Sequence, residues 1–155
     1  MEAQFPRPQG EDESTAINFH IEHPDFQLPP VAPLDHWVRR VIELEEAELR
    51  TLNFIFVTDD ALHQMNVTHL QHDTLTDIIT FPFAEPPVVE GDVYISIDRV
   101  RDNAEELRVS FTEELRRIII HGVLHLCGQG DKSLADKTMM TAKENAALRL
   151  WSELV

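Results

Sequence analysis

The chain holds a single cysteine, Cys127, among its 155 residues. No intramolecular disulfide can form, which excludes the stapled framework of a small exported domain. Long apolar runs are missing as well. The most apolar segment, "IIIHGVLHLC", falls well short of the roughly 20 residues a membrane helix needs and is interrupted by histidine. Positive charge is scarce: 13 Lys and Arg stand against 28 Asp and Glu, a formal net charge of −15. Such a field repels polyanions at long range and argues against generic affinity for nucleic acid, DNA included, or for anionic membranes. The opening residues, "MEAQFPRPQGEDES", lack the basic and apolar regions of a signal peptide. A cytoplasmic protein with no membrane partner is expected. A local basic groove built from Arg39/Arg40, Arg99/Arg101, Arg108 and Arg116/Arg117 stays open beside the plainer reading of solvated helix faces.

What is present is a globular composition, 43% hydrophobic and 26% charged, in a chain long enough to bury roughly two thirds of its unfolded surface. Residues 1–14 read as a flexible tail and 15–155 as one domain. "INFHIEH" (17–23) alternates like a half-buried strand, and the prolines of "HPDFQLPPVAP" mark a loop with Pro33 near a helix start. Trp37, Val38, Val41, Ile42, Leu44 and Leu49 form a helical stripe over 34–50. "TLNFIFVT" (51–58) is a second strand, followed by a short helix to His69 capped by Thr58 or Asp59. Strands are expected at 76–83 and 92–97, with "AEPPVVEG" as loop or approach, and helices at 98–108, 111–127 and 133–153. Ser110-Phe-Thr-Glu113 is a capping-box pattern and Gly128 suits a helix C-terminus. The order β-α-β-α-β-β-α-α-α predicts an α+β fold: a mostly four-stranded mixed sheet with about five helices and a buried central helix carrying a metal site.

That central helix contains "IIIHGVLHLCGQGD" (118–131). Four helical residues advance about 400°, so His121 and His125 lie within about 40° on one face, one turn apart. The spacing suits two imidazole nitrogens converging on one ion. Buried imidazoles without partners cost about 1–3 kcal/mol each, and a metal satisfies both. The plainer alternative is that each ring bonds within the core. Gly128 and Gly130 allow the chain to double back, bringing Asp131 to the same face as a third ligand. Two neutral imidazoles and one carboxylate leave an open position for water, as catalytic zinc requires. Gly122, costing roughly 1 kcal/mol relative to alanine inside a helix, implies close approach of another backbone or of substrate. It also stands where the zinc proteases of H-E-x-x-H type place their glutamate, which argues against a protease.

"HGVLHLCGQGD" resembles the signature H-G-x-L-H-L-x-G-x-D-H of the YbeY family of ribosomal-RNA maturation endoribonucleases. "HDTLTDIITFPF" (72–83) is similar to that family's D-x-x-T-D-[VI]-[LI]-[ST]-F-P segment, and "EGDVYISIDRVRDNA" (90–104) to its G-D-I-x-I-S strand and following helix. The resemblance covers residues 50–148 in order. It implies a zinc-dependent hydrolase of single-stranded RNA acting in 16S rRNA maturation and ribosome quality control, with the ribosome or a ribosomal protein as partner. Two departures stand out. The family's third metal histidine falls on Asp131, and its preceding aspartate on Gly130. A carboxylate there reduces the ion's Lewis acidity and makes the site harder, so manganese or iron join zinc as candidates. The family's arginine four residues after Asn66 is Leu70, and Lys132 is the candidate replacement for its phosphate contact, with a solvated lysine as the alternative.

The residues expected to carry the chemistry are therefore His121, His125, Asp131 and Lys132, the first three as metal ligands. The ion would polarise a water or a phosphoryl oxygen for attack on a phosphodiester. Thr76 and Asp77 either orient a ligand or cap a strand end. His69, His72 and Asp73 read first as loop residues, and Cys127 as packed rather than ligating. Two other functions remain open: a ribosome-associated assembly factor with a structural metal, and a metal hydrolase acting on a substrate other than nucleic acid.

Overall fold

A computed structural model describes residues 16–70 and 76–155. The predicted tail, together with His72 and Asp73, lies outside the described residues. Elements follow in the predicted order: β1 (Ile17–Ile21), α1 (Val31–Leu44), β2 (Glu48–Val57), α2 (Asp59–Leu70), β3 (Ile78–Pro82), β4 (Val88–Ser96), α3 (Ile97–Leu107), α4 (Phe111–Leu126) and α5 (Leu134–Leu154). The sheet order is β1-β2-β4-β3. β1, β2 and β4 run parallel, and β3 pairs antiparallel with β4 at the edge. Among the described residues the fold is α+β with a mixed four-stranded sheet and five helices, as the sequence predicts.

Period-two alternation sorts β2 between two layers. Leu52, Phe54 and Phe56 face the main core with Val93 and Ile95 of β4 and the apolar faces of α1, α4 and α5. Ile55 and Val57 face the other way, onto Leu62 of α2 and Ile79 of β3. So α2 covers the opposite face of the sheet, and β2 is buried on both sides along its C-terminal half. Trp37 ties the first and last helices together. Its indole Nε1–H donates to Ala147 O at 2.8 Å, and its ring meets Trp151 edge-on at 5.4 Å.

Helix ends follow the caps. Thr58 Oγ1 accepts from Ala61 N at the start of α2, and Ser110 Oγ from Glu113 N at the start of α4. Ser96 and Ser133 do the same for α3 and α5. Several boundaries differ from expectation. Leu49, counted in the α1 stripe, belongs to β2, because the chain turns at Glu46 with φ of 57°. β4 begins at Val88, so "VVEG", left open as loop or approach, is already strand. β1 stops at Ile21, before His23 turns inward to Asp98.

Helix α4 is the central one. Ile118, Ile119, Ile120, Val123, Leu124 and Leu126 are buried on it, and it packs on β3, β4, α3 and α5. Gly122 explains its close seat: a Cβ there would lie 3.0 Å from both Ile78 Cδ1 and Val93 Cγ1. The close neighbours are side chains of the sheet, where the sequence suggested another backbone or substrate.

Candidate functional site

α4 ends at Leu126 with Cys127 as its C-cap, and Gly128 takes φ of 111°, a left-handed angle that turns the chain back as expected. The predicted role of Gly130 differs. Gly128 is the glycine with positive φ among the described residues, and Gly130 is instead a tight spot, where a Cβ would sit 3.0 Å from Asp136 Oδ2. The turn delivers Asp131 to the histidine face, its Oδ2 3.4 Å from His121 Nε2. His121 is half-buried, whereas His125, expected within the apolar segment, is exposed. Lys132 is exposed in the same turn.

Both rings are held from behind. His121 Nδ1–H donates to Glu144 Oε2 of α5 at 2.7 Å. His125 Nδ1–H donates to the carbonyl of Gln129 at 3.3 Å. In the neutral rings these bonds assign the proton to Nδ1 and leave the Nε2 lone pairs for another partner. The hydrogen bond to Glu144 is the main reason the His121 pKa is raised above the ordinary histidine value. Burial works against it, and the charges of Glu144, Asp131 and Asp77 add to it.

The donor chemistry suits a divalent transition metal: two imidazole Nε2 atoms and one carboxylate. Ligands at 2.0–2.1 Å on a tetrahedral ion stand roughly 3.3–3.4 Å apart, the separation found between His121 Nε2 and Asp131 Oδ2. In the arrangement described, His125 does not close on this pair. Among the described residues no three His, Cys, Asp or Glu side chains form a ready-made metal cluster.

A cavity of about 170 Å³ adjoins His121, lined by Asp77, Ile78, Arg117, Ile118 and Glu144 besides the ring. A larger hollow of about 270 Å³ between α1 and α5 contains none of the predicted site residues. Asp77 is fixed at the entry to β3, its Oδ2 accepting from Asn103 Nδ2 at 3.1 Å and its carbonyl from Ser96 N at 3.0 Å. Thr76 Oγ1 donates to Ile78 O at 3.2 Å, which orders the strand end. His69 lies in the last turn of α2 against the Phe81 ring. Leu70 ends that helix and is exposed. Cys127 packs against the main core as predicted.

Sequence reasoning missed Glu144, and it read Arg117 only as part of a basic groove or a solvated helix face. Arg117 Nη1 donates to Glu144 Oε1 at 3.0 Å, and Nη2 to Asn145 Oδ1 at 2.9 Å. The signal was present on α5, where the buried stripe runs Met140, Glu144, Ala147. A carboxylate at a core position of an amphipathic helix demands a buried partner.

The sequence profile described as Endoribonuclease YbeY matches residues 19–152. Curated relatives named Endoribonuclease YbeY include one from Flavobacterium johnsoniae, 43% identical over 87% of this chain and 96% of its own. Another, from Amoebophilus asiaticus, is 45% identical over 83% of this chain and 88% of its own. The solution structure of TM1509 from Thermotoga maritima superposes with a TM-score of 0.62 at 25% identity, covering 87% of this chain and 90% of that one.

Proposed function

The chain belongs to the YbeY endoribonuclease family, and on that premise we propose that it cleaves single-stranded RNA at a metal held by His121, His125 and Asp131. The observation that carries this reading is the meeting of His121 Nε2 and Asp131 Oδ2 at 3.4 Å, with both histidine Nδ1 hydrogens already engaged elsewhere. Zinc suits two imidazoles and a carboxylate, and manganese or iron suit the harder oxygen donor. When bound, the metal supplies Lewis acidity toward a phosphodiester and its attacking water.

The protein's own residues do the rest. Glu144 and the Gln129 carbonyl hold the two rings with their donor nitrogens turned outward. Asp131 lends a negative charge that the two neutral rings lack. Lys132, exposed beside it, attracts the RNA phosphate and offsets part of the long-range repulsion from the acidic chain. The exposure of His125 supports a reacting edge at the surface, within reach of an RNA strand.

Ribosomal RNA is the expected substrate, met on the ribosome or with a ribosomal protein, in the cytoplasm. No helix among the described residues is long and apolar enough to cross a membrane. The experiment is cleavage of single-stranded RNA by the full chain, with and without chelator, beside His125→Ala. Loss of cleavage in both arms supports the reading. Cleavage that survives His125→Ala, or metal content below about 0.2 ion per unchelated chain when a full site should hold about one, overturns it.

A further inference from the structure

Glu144 is 8% exposed, and an ionised carboxylate removed from water costs several kcal/mol unless its oxygens are paired. Both oxygens are paired, and to different ends. Oε1 takes Arg117 Nη1 at 3.0 Å, while Oε2 takes His121 Nδ1 at 2.7 Å. Arg117 and His121 are four residues apart on α4, so the carboxylate from α5 bridges one turn of the neighbouring helix. The other arm of the guanidinium is held by Asn145, the next residue on α5. A planar fork pinned at two points cannot rotate without breaking a charge-assisted bond. The order Asn145, Arg117, Glu144, His121 therefore ends on the ring and fixes its plane.

An inter-helix ion pair serving stability alone would need only Arg117 and Glu144. Here the second oxygen is spent on the Nδ1–H of a half-buried imidazole whose other nitrogen faces Asp131 at 3.4 Å. Free histidine favours the opposite tautomer, with the proton on Nε2, which would turn an N–H rather than a lone pair toward the ion. We propose that Glu144 is a positioning residue: braced by Arg117, it locks His121 in the Nδ1–H tautomer and aims the Nε2 lone pair at the face shared with Asp131. This rests on the metal reading above for its purpose, though the tautomer itself can be measured without metal.

The test uses the full chain labelled with ¹⁵N at histidine, read by long-range ¹H–¹⁵N correlation without metal at a pH where His121 is neutral, followed by calorimetric titration with zinc. In the unsubstituted chain His121 should show the Nδ1–H form alone. Glu144→Ala should give a tautomer mixture and weaken zinc by roughly 10–100-fold, the usual effect of removing such a partner. Glu144→Gln keeps an oxygen acceptor and should retain the Nδ1–H form with a smaller loss. Where Glu144→Ala does not fold, Glu144→Met fills the buried volume and gives the same reading. A pure Nδ1–H tautomer in the alanine or methionine variant, with zinc affinity within about threefold of the original, overturns the proposal. A chain that binds no zinc while its tautomer still depends on Glu144 sinks the metal reading and supports the positioning role.

Discussion

Asp131 Oδ2 stands 3.4 Å from His121 Nε2 across the turn that closes α4. An imidazole lone pair facing a carboxylate oxygen at that distance is repulsive unless a proton or a cation lies between them. Without metal, protonation of the ring relieves that repulsion, which accords with the raised His121 pKa.

Metal and proton should therefore compete at His121. Zinc affinity is expected to fall on acidification, and the fall should begin above the ordinary histidine value of 6.5, because the folded ring keeps its proton to higher pH. The same shift adds stability to the metal-free chain. That stability is complete below the unfolded pKa and is lost as pH rises through the folded one. Zinc titrations across pH, with urea unfolding of the metal-free chain alongside, test both. A loss of affinity confined to pH well below 6 would contradict the geometry.

Asp131 and Lys132 are neighbours with different expected roles. Asp131→Ala should weaken zinc strongly. Lys132→Ala should leave zinc affinity within about twofold, since an exposed charge is screened by solvent. The lysine variant should instead raise KM for single-stranded RNA, most clearly at low salt, where phosphate contacts count most. A Lys132→Ala enzyme whose KM is unchanged at every salt concentration would return Lys132 to a solvated surface role.

Much of this was legible from local signals. Ser110 and Gly128 announced the ends of α4, and the apolar residues around His121 announced its burial. His125 was harder. Helical spacing places it near the His121 face, but its exposure depends on how far the sheet reaches, and β3 and β4 pack against α4 nearer Gly122. Glu144 depends on a contact 23 residues away in sequence, and no local pattern reports which helix will face which. The start of β4 was hidden by the two prolines before it, which read as loop although Val88 and Val89 pair with Glu48 and Leu49.

Glu114, 4% exposed on α4, carries an Oε1 without a hydrogen-bond partner among the described residues. Burial raises its pKa; Arg117 opposes the rise, while Asp77, Glu144 and Glu113 add to it. The folded state therefore binds more protons than the unfolded one between the ordinary glutamate value and the raised one, and stability falls as pH rises through that window. Glu114→Gln should be more stable than the original chain at neutral pH, with the gain vanishing on acidification. Denaturation curves at two pH values decide it, and a gain of equal size at both would remove ionisation as the cause.

The Cys127 thiol pKa is pushed up to about 12, first by burial and then by the charge of Glu45, with Lys143 opposing. Thiolate is the reactive form. The native chain should resist a maleimide at neutral pH and react once urea unfolds it. Rapid labelling of the folded protein would show that the packing around Cys127 is looser than described.

Two glycines set how closely the histidine helix lies on the sheet, and they should not respond alike to alanine. At Gly122 the new Cβ would meet Ile78 Cδ1 and Val93 Cγ1, both at 3.0 Å, side-chain atoms able to yield by a few tenths of an ångström. Helix propensity returns about 1 kcal/mol against an overpacking cost of about 1–3 kcal/mol, so a net loss of roughly 1 kcal/mol is expected. At Gly91 the Cβ would lie 2.5 Å from the carbonyl oxygen of Phe81 and 3.3 Å from Leu126 Cδ2. That oxygen belongs to the backbone of the paired strand and cannot rotate away, so Gly91→Ala should cost more than about 3 kcal/mol. Urea midpoints at unchanged slope give the comparison. Because His121 directly precedes Gly122, the milder variant should also shift the ring relative to Asp131 and weaken zinc while the fold persists. Equal stability loss at both positions, or a Gly122→Ala chain that binds zinc as tightly as the original, would mean that α4 is not seated against β3 and β4 as closely as these distances require.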